Sequence, residues 1–180
     1  MAHIWERSYP PGVSWGDPLP AAVAIESLLE TAAETWQDKA AIDFYDRRLS
    51  FREIERLAAR AALGLQALGV GPGIHVGLHL PNTPHYVVCF FAVLMAGGRV
   101  VNFSPLAAPR ELKYQIADSD VQVMVTLDLP TLYPQVALVQ RFLTHAKNTT
   151  PTDLLGAKLS AWAARMAALP ITRKTWPPHW

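Results

Sequence analysis

Helical and extended segments alternate along residues 50–126, and this alternation restricts the fold more than any other feature of the sequence. The segments follow in the order helix, strand, helix, strand, helix, strand: residues 51–68, 74–80, 85–96, 99–103, 109–117 and 121–126. Alternation of this kind is typical of α/β layer folds. The sequence therefore predicts an α/β fold with helices layered on a largely parallel sheet.

The helix that follows Ser50 has signals at both ends. Ser50 and Glu53 form a capping box, in which each side chain bonds a backbone N–H of the other residue. Gly69 is placed to end the helix in a left-handed cap. Five apolar residues between these ends are expected to be buried: Ile54, Leu57, Ala61, Leu65 and Leu68.

The N-terminal part of the chain, before this helix, starts with a proline-rich segment. Residues 8–20 are predicted to be an extended lead-in, which Trp5, Tyr9 and Trp15 anchor onto a larger body. The next elements predicted are a helix over residues 23–36, a strand over 41–45 and a turn over 46–48.

The composition excludes several classes of protein. The 180 residues have a net charge of +1, and 51% of them are hydrophobic, which excludes global disorder. So small a basic excess gives no reason to expect a nucleic-acid partner. The single cysteine excludes an intramolecular disulfide framework. The longest apolar run, residues 86–98, is too short to span a membrane.

Charge is distributed unevenly. Residues 1–130 carry ten Lys/Arg and fourteen Asp/Glu, whereas residues 131–180 carry six Lys/Arg and a single acid, Asp153. This shift predicts a compositional boundary near residues 130–150. The basic tail is either an interaction segment or a stretch never selected as part of this fold.

Two pairs of side chains are candidates for chemistry. His85 and Cys89 lie four apart on a predicted helix, but the apolar neighbours of Cys89 predict a buried, inert thiol. His75 and His79 face the same way on a predicted strand and could ligate a metal ion. Because neighbouring segments supply no third ligand, we expect instead a polar or half-buried strand face there.

Phosphate-binding loops are absent from the sequence. Neither G-x-x-x-x-G-K-[ST] nor G-x-G-x-x-G occurs, and the glycines at 71–73 and 97–98 are interpreted as turns. Three acids at helical spacing are expected to form a solvated face: Glu26, Glu30 and Glu34. We therefore predict no catalytic, cofactor-binding or metal-binding residue in this chain.

Five segments, in order, resemble motifs of the adenylate-forming (AMP-binding) enzymes. Residues 48–54 are similar to L-T/S-Y/F-x-E-L, 68–78 to L-G-V-x-x-G-D-x-V-A-L, 80–84 to L-P-N-s-x, 96–105 to A-G-x-x-V-V-x-x-N-P and 111–120 to E-L-x-x-Q-L-x-D-S-g. Residues 5–13 further resemble the N-terminus of bacterial long-chain fatty-acid and dicarboxylate CoA ligases. The resemblance covers about residues 4–139.

The resemblance implies a function for a complete member of the family. Such an enzyme uses ATP and Mg²⁺ to activate a fatty acid or other carboxylic acid as an acyl-adenylate, and then passes the acyl group to CoA. It also implies a fold, because this chain matches only the first of the family's N-terminal α/β subdomains.

The sequence departs from the family pattern in several ways. The motifs T-G-x-P-K-G, Y-G-x-T-E and T-G-D and the C-terminal lysine are absent. Ile74 stands where the family has an acid. Ala108 replaces the usual Ser/Thr helix cap, at a cost of about 1 kcal/mol. We therefore expect this chain to hold no cofactor and to be inactive by itself.

The resemblance also suggests how the chain is organised. We expect an extended lead-in at residues 1–22, a partial AMP-binding subdomain at 23–140, and a divergent, poorly packed basic tail at 141–180. A truncated or frame-disrupted gene product explains this pattern, and a genuine short relative is the alternative.

A rival hypothesis is a small non-catalytic interaction module. It would use the basic tail and an exposed apolar surface where further subdomains would pack. Because residues 1–7 show no secretory pattern, we expect a cytoplasmic protein, with peripheral membrane attachment as an option.

Overall fold

The computed structural model describes residues 3–19, 21–126 and 147–149. The α-helices of these residues are α1 (Ile25–Trp36), α2 (Phe51–Ala67), α3 (Pro84–Met95) and α4 (Pro109–Asp118). Their strands are β1 (Ala40–Phe44), β2 (Arg47–Ser50), β3 (His75–His79), β4 (Arg99–Asn102), β5 (Val123–Thr126) and β6 (Lys147–Thr149). The helices and strands predicted between residues 23 and 126 are confirmed within two residues at each end, except at the β1–β2 hairpin.

The prediction of a turn over residues 46–48 is wrong, because β1 and β2 form an antiparallel hairpin. Tyr45 and Asp46 both have positive φ (47° and 60°), so a two-residue turn connects the strands. Arg48 then pairs in register with Asp43, and its Nε lies 2.9 Å from the Asp43 carboxylate. The arginine-rich sequence gave no sign of this second strand.

The signals at both ends of α2 are confirmed. The Glu53 N–H donates to Ser50 Oγ at 3.3 Å, and the Ser50 N–H donates to the Glu53 carboxylate at 2.9 Å. At the other end Gly69 has φ 93°, and the Val70 N–H donates to the Leu65 carbonyl in a Schellman motif. Of the residues expected to be buried, three are buried and two are partly buried: Ile54, Ala61 and Leu65, then Leu57 and Leu68.

The larger sheet is parallel, with strand order β4-β3-β5-β6. Because successive side chains of a strand point to opposite faces, each face has its own core. Val123 and Val125 join the core that contains α2 and α3. Met124, between them, packs instead with Leu112 and Ile116 of α4. The helices therefore cover both faces, and the predicted α/β layer fold is confirmed.

Because both faces of the larger sheet are buried, one expectation about β3 is wrong. His79, expected on a polar or half-buried face, is only 1% exposed, whereas His75 is half-buried as expected. Val76 and Leu78 occupy the α3 side, so alternation places His79 on the α4 side. The expectation for His79 is wrong because the core around α4 covers that side of the sheet.

The lead-in contains a short 3-10 helix, Ile4–Ser8, that the sequence did not predict. Trp5 stacks on His3 with ring centroids 4.6 Å apart, and Trp15 contacts both rings. Trp5 and Trp15 are still 46% and 58% exposed. This is a local aromatic cluster, and anchoring of the lead-in onto a larger body stays a prediction.

The expectations for most of the tail lie outside the described residues. The sequence also favours a helix over residues 132–146 and an apolar stripe at helical spacing over 155–166, and both segments lie outside the described residues. Within the tail predicted at 141–180, Lys147–Thr149 forms β6, which pairs in parallel with β5 and which the sequence did not predict. Among the residues that are described, no helix combines the length and the apolar character needed to cross a membrane.

Candidate functional site

The chain leaves β3 and β4, which are adjacent in the sheet, in opposite directions. After β3 it enters α3 on one face, and after β4 it enters α4 on the other face. In open α/β sheets, ligands bind in the crevice between the carboxyl ends of two adjacent strands that diverge in this way. The crevice between β3 and β4 is therefore the candidate functional site.

A hydrogen bond connects the two sides of this crevice. The Tyr86 hydroxyl, in the first turn of α3, donates to Asn102 Oδ1 at the end of β4, with an O···O distance of 2.9 Å. Proline at the first position of α3 fixes where that turn begins. The two side chains supply a hydroxyl and an amide, which can hydrogen-bond and orient a ligand.

His79 ends β3 on the α4 side of the crevice. Neither of its ring nitrogens has a hydrogen-bond partner among the described residues. Burial lowers the pKa of His79, so the neutral imidazole is favoured. Thr126 lies opposite it in register and is fully buried. A buried, neutral imidazole of this kind is a poor candidate for a catalytic acid.

His75 lies four residues away, at the amino end of β3. Its Nδ1 is 2.8 Å from the Ser119 carbonyl oxygen, and its Nε2 is 3.4 Å from an Arg99 guanidinium nitrogen. The carbonyl requires the proton on Nδ1, so Nε2 accepts from Arg99. These contacts give His75 a structural role. No group of three or more His, Cys, Asp or Glu that could hold a metal ion occurs in the described part of the chain.

Cys89 is fully buried within α3, as predicted. Burial raises the pKa of its thiol to about 12. Thiolate, the nucleophilic form, is therefore scarce near neutral pH. His85, one turn earlier, is also buried. The structure thus provides no accessible Cys–His nucleophile at this helix.

The acids of α1 lie towards solvent. Glu30 and Glu34 are exposed and Glu26 is partly exposed, as expected of a solvated face. The turns at 71–73 and 97–98 are also in place, and Gly97 ends α3 with φ 83°.

Sequence reasoning missed the Tyr86–Asn102 hydrogen bond because sixteen residues separate its partners. It also missed an arginine-lined groove beside α2, because Arg48 belongs to β2, a strand that the sequence did not predict.

Comparison with known proteins identifies the family. The sequence profile described as "AMP-binding enzyme" matches residues 29–171. The chain is 40% identical over 131 residues to the Long-chain-fatty-acid--CoA ligase of Bacillus subtilis, covering 73% of this chain and 23% of that protein. The chain belongs to the AMP-binding enzyme family. The resemblance found in its motifs is confirmed, and the profile match continues beyond residue 140.

Solved structures agree on the fold. The anthranilate CoA ligase AuaEII superposes with a TM-score of 0.67 at 23% identity, covering 76% of this chain and 28% of that one. The Klebsiella oxytoca NpsA N-terminal subdomain superposes with a TM-score of 0.61 at 14% identity, covering 73% and 31%. The chain spans between a fifth and a third of these relatives, and its fold matches part of the Klebsiella oxytoca NpsA N-terminal subdomain.

Proposed function

We propose that this chain is the first α/β subdomain of an ATP-dependent long-chain fatty-acid CoA ligase. The observation that carries the proposal is the 40% identity to the Bacillus subtilis long-chain fatty-acid ligase. In such an enzyme ATP and Mg²⁺ activate a fatty acid as an acyl-adenylate, and CoA accepts the acyl group.

Within that enzyme the described residues serve as a scaffold. Their crevice offers a hydroxyl and an amide, Tyr86 and Asn102, and the sequence lacks the family's phosphate loop and lysine. Positioning and charge stabilisation of the transferring phosphates supply most of the catalysis in such reactions. We therefore propose that ATP, Mg²⁺, CoA and fatty acid bind outside this chain, which is inactive by itself.

The organisation of the chain is part of the proposal. We propose a lead-in at residues 1–22, the subdomain at 23–140 and a basic tail at 141–180. The family match through residue 171 favours a tail that derives from the same family. We also propose a cytoplasmic location with peripheral membrane contact.

Two assays test the ligase proposal. The purified chain should catalyse no palmitate-dependent ATP–pyrophosphate exchange above a protein-free control. A chimera in which this chain replaces the matched segment of the Bacillus subtilis ligase should form palmitoyl-CoA. A folded but inactive chimera would contradict the proposal, as would exchange by the isolated chain.

A second candidate is a non-catalytic interaction module, and one surface favours it. The outer side of α1 forms an apolar groove of about 410 Å³. Leu28 and Trp36, which line it, are 59% and 50% exposed. In a complete ligase we propose that another subdomain covers this surface. If another subdomain covers this surface, Leu28→Ser should inactivate the chimera. If the surface serves a separate interaction module, the same substitution should leave the activity of the chimera unchanged.

A further inference from the structure

An open groove of about 610 Å³ lies between the β1–β2 hairpin, the start of α2 and the segment that follows α1. Three guanidinium groups line it, from Arg48 on β2 and from Arg52 and Arg56 on α2. Residues four apart share a helix face, so the two arginines of α2 lie side by side. The β1–β2 hairpin and α2 thus bring three guanidinium groups, each with several N–H donors, to one concave surface.

Carboxylates in and beside the groove hold these arginines only weakly. The Arg48–Asp43 pair has a short 2.9 Å contact, but its side chains are 75% and 58% exposed. Arg52 and Asp38 are 3.7 Å apart, with side chains 54% and 83% exposed. Such exposed pairs contribute roughly 0–1 kcal/mol. Arg52 also donates from Nη2 to the Gln37 side-chain oxygen at 2.5 Å, in an exposed contact. A more highly charged anion has to displace these exposed contacts to bind the two guanidinium groups.

Arg56 is the least engaged of the three. Its charge helps to lower the pKa of Glu53, after the larger effect of the hydrogen bond from the Ser50 N–H. Among the described residues Arg56 has no hydrogen bond or ion pair. The groove lining holds three arginines and two carboxylates, Asp38 and Glu53, while Asp43 pairs with Arg48 from beside the groove, so Arg56 is the arginine most available to an anion.

The backbone at the start of α2 is not available to an anion. The N–H groups of Phe51 and Arg52 donate to the carbonyls of Lys39 and Gln37, and the Glu53 N–H donates to Ser50. A ligand here must be held by guanidinium groups. Phosphate is the anion whose oxygens best match two or three forked donors.

We propose that this groove binds a phosphate group, carried either by a soluble phosphoryl compound or by a lipid headgroup. The site goes beyond the proposed ligase function, because the groove is separate from the β3–β4 crevice. It requires neither ATP chemistry nor the rest of a ligase. The phosphate-binding proposal can therefore be wrong while the ligase proposal is right, and the ligase proposal can be wrong while the groove still binds phosphate.

Two binding measurements on the 180-residue chain, at constant ionic strength, test the proposal. The first is calorimetric titration with inorganic pyrophosphate. The second is co-sedimentation with phosphatidylcholine vesicles that contain or lack 30% phosphatidylglycerol. Binding of pyrophosphate alone identifies a soluble source, and binding of anionic vesicles alone identifies a headgroup. No binding of either probe overturns the proposal.

Matched variants show whether the groove is responsible. R52Q/R56Q should weaken binding about tenfold, which corresponds to the loss of charge-assisted phosphate contacts. R7Q/R110Q removes two exposed arginines outside the groove, and K158Q/R165Q removes two charges from the basic tail. Both controls should bind as the unmodified chain does. Equal weakening in a control and in R52Q/R56Q would overturn the site, since net charge alone would then explain binding.

Discussion

Met124 of β5 packs directly over Gly77 of β3. A Cβ at Gly77 would lie 2.5 Å from Met124 Sδ and 2.8 Å from Phe103 Cε2. Residues 77 and 124 are register partners, so the methionine occupies the space that a side chain at 77 would fill. Any side chain at position 77 would therefore force Met124 and Phe103 to move.

We expect Gly77→Ala to destabilise the fold by about 1–3 kcal/mol, because it overpacks the core beneath α4. Met124→Ala should reduce that cost in the double variant, since Met124 is the nearest obstacle. Gly71→Ala is the control, because a Cβ there meets nothing within 4 Å. Chemical denaturation of the unmodified chain, the three single variants and the double variant measures these effects. Equal losses from Gly77→Ala and Gly71→Ala would contradict the contact.

Leu65→Asp should abolish cooperative folding. Leu65 is fully buried in the core between α2 and the sheet, and an unpaired buried charge costs several kcal/mol out of a total stability of about 5–15 kcal/mol. Leu63→Asp, two residues away, is the matched control, since Leu63 is 67% exposed. Its effect should stay within about 0.5 kcal/mol. A thermal transition of Leu65→Asp that matches that of Leu63→Asp would show that the buried face of α2 is misassigned.

The Glu53 carboxylate should make stability depend on acid pH. Its pKa is lowered in the folded state, chiefly by the hydrogen bond from the Ser50 N–H. A lowered pKa means that the unfolded state binds the proton more tightly. The contribution is therefore complete above the ordinary pKa of a glutamate and is lost as pH falls through the folded value. Glu53→Gln should remove this part of the pH dependence while leaving a capping amide.

The measurement for Glu53 is urea denaturation of both proteins between pH 3 and pH 7. Ser50→Ala should cost about 1 kcal/mol at pH 7 through loss of the cap. It should also flatten the acid limb. An acid limb identical in all three proteins would rule out the capping box as its source.

His79→Leu should stabilise the protein at neutral pH by about 1 kcal/mol, because it removes two buried nitrogens that have no partner among the described residues. His75→Leu is the control, and it should destabilise, because it breaks the 2.8 Å bond to the Ser119 carbonyl. Thermal denaturation at pH 7.5 compares the variants. A loss of stability in His79→Leu would indicate that His79 has a hydrogen-bond partner in solution.

The lowered pKa of His79 adds a second readout. The unfolded state takes up a proton below the ordinary histidine pKa, and the folded state resists it. Stability should therefore fall as pH drops below about 6.5. His79→Leu should reduce this slope.

His85→Ala and Cys89→Ser are expected to leave palmitoyl-CoA formation by the chimera intact wherever the protein folds. Both side chains are buried, and the thiol is not ionised near neutral pH. Assays should be compared at equal folded fraction, measured by circular dichroism. Complete inactivity in a fully folded Cys89→Ser chimera would give this thiol a role in the reaction.

The sequence by itself determined the four α-helices of the described residues, the parallel strands β3, β4 and β5, and the capping of α2. These depend on local periodicity and on neighbours three or four residues apart, such as Ser50 and Glu53. Its five ordered motifs also indicated the family. The tertiary structure alone decided which polar residues are buried and which arginines line one groove.

His79 is buried because α4 returns to the far side of the sheet, and alternation within β3 carries no information about that helix. Arg48 lines the same groove as Arg52 and Arg56 because a two-residue turn folds β2 back onto β1 beside α2. Gly77 is needed because Met124, forty-seven residues later, lies over it. Each of these contacts joins segments whose separation in the sequence is closed only by packing, so local patterns could not predict it.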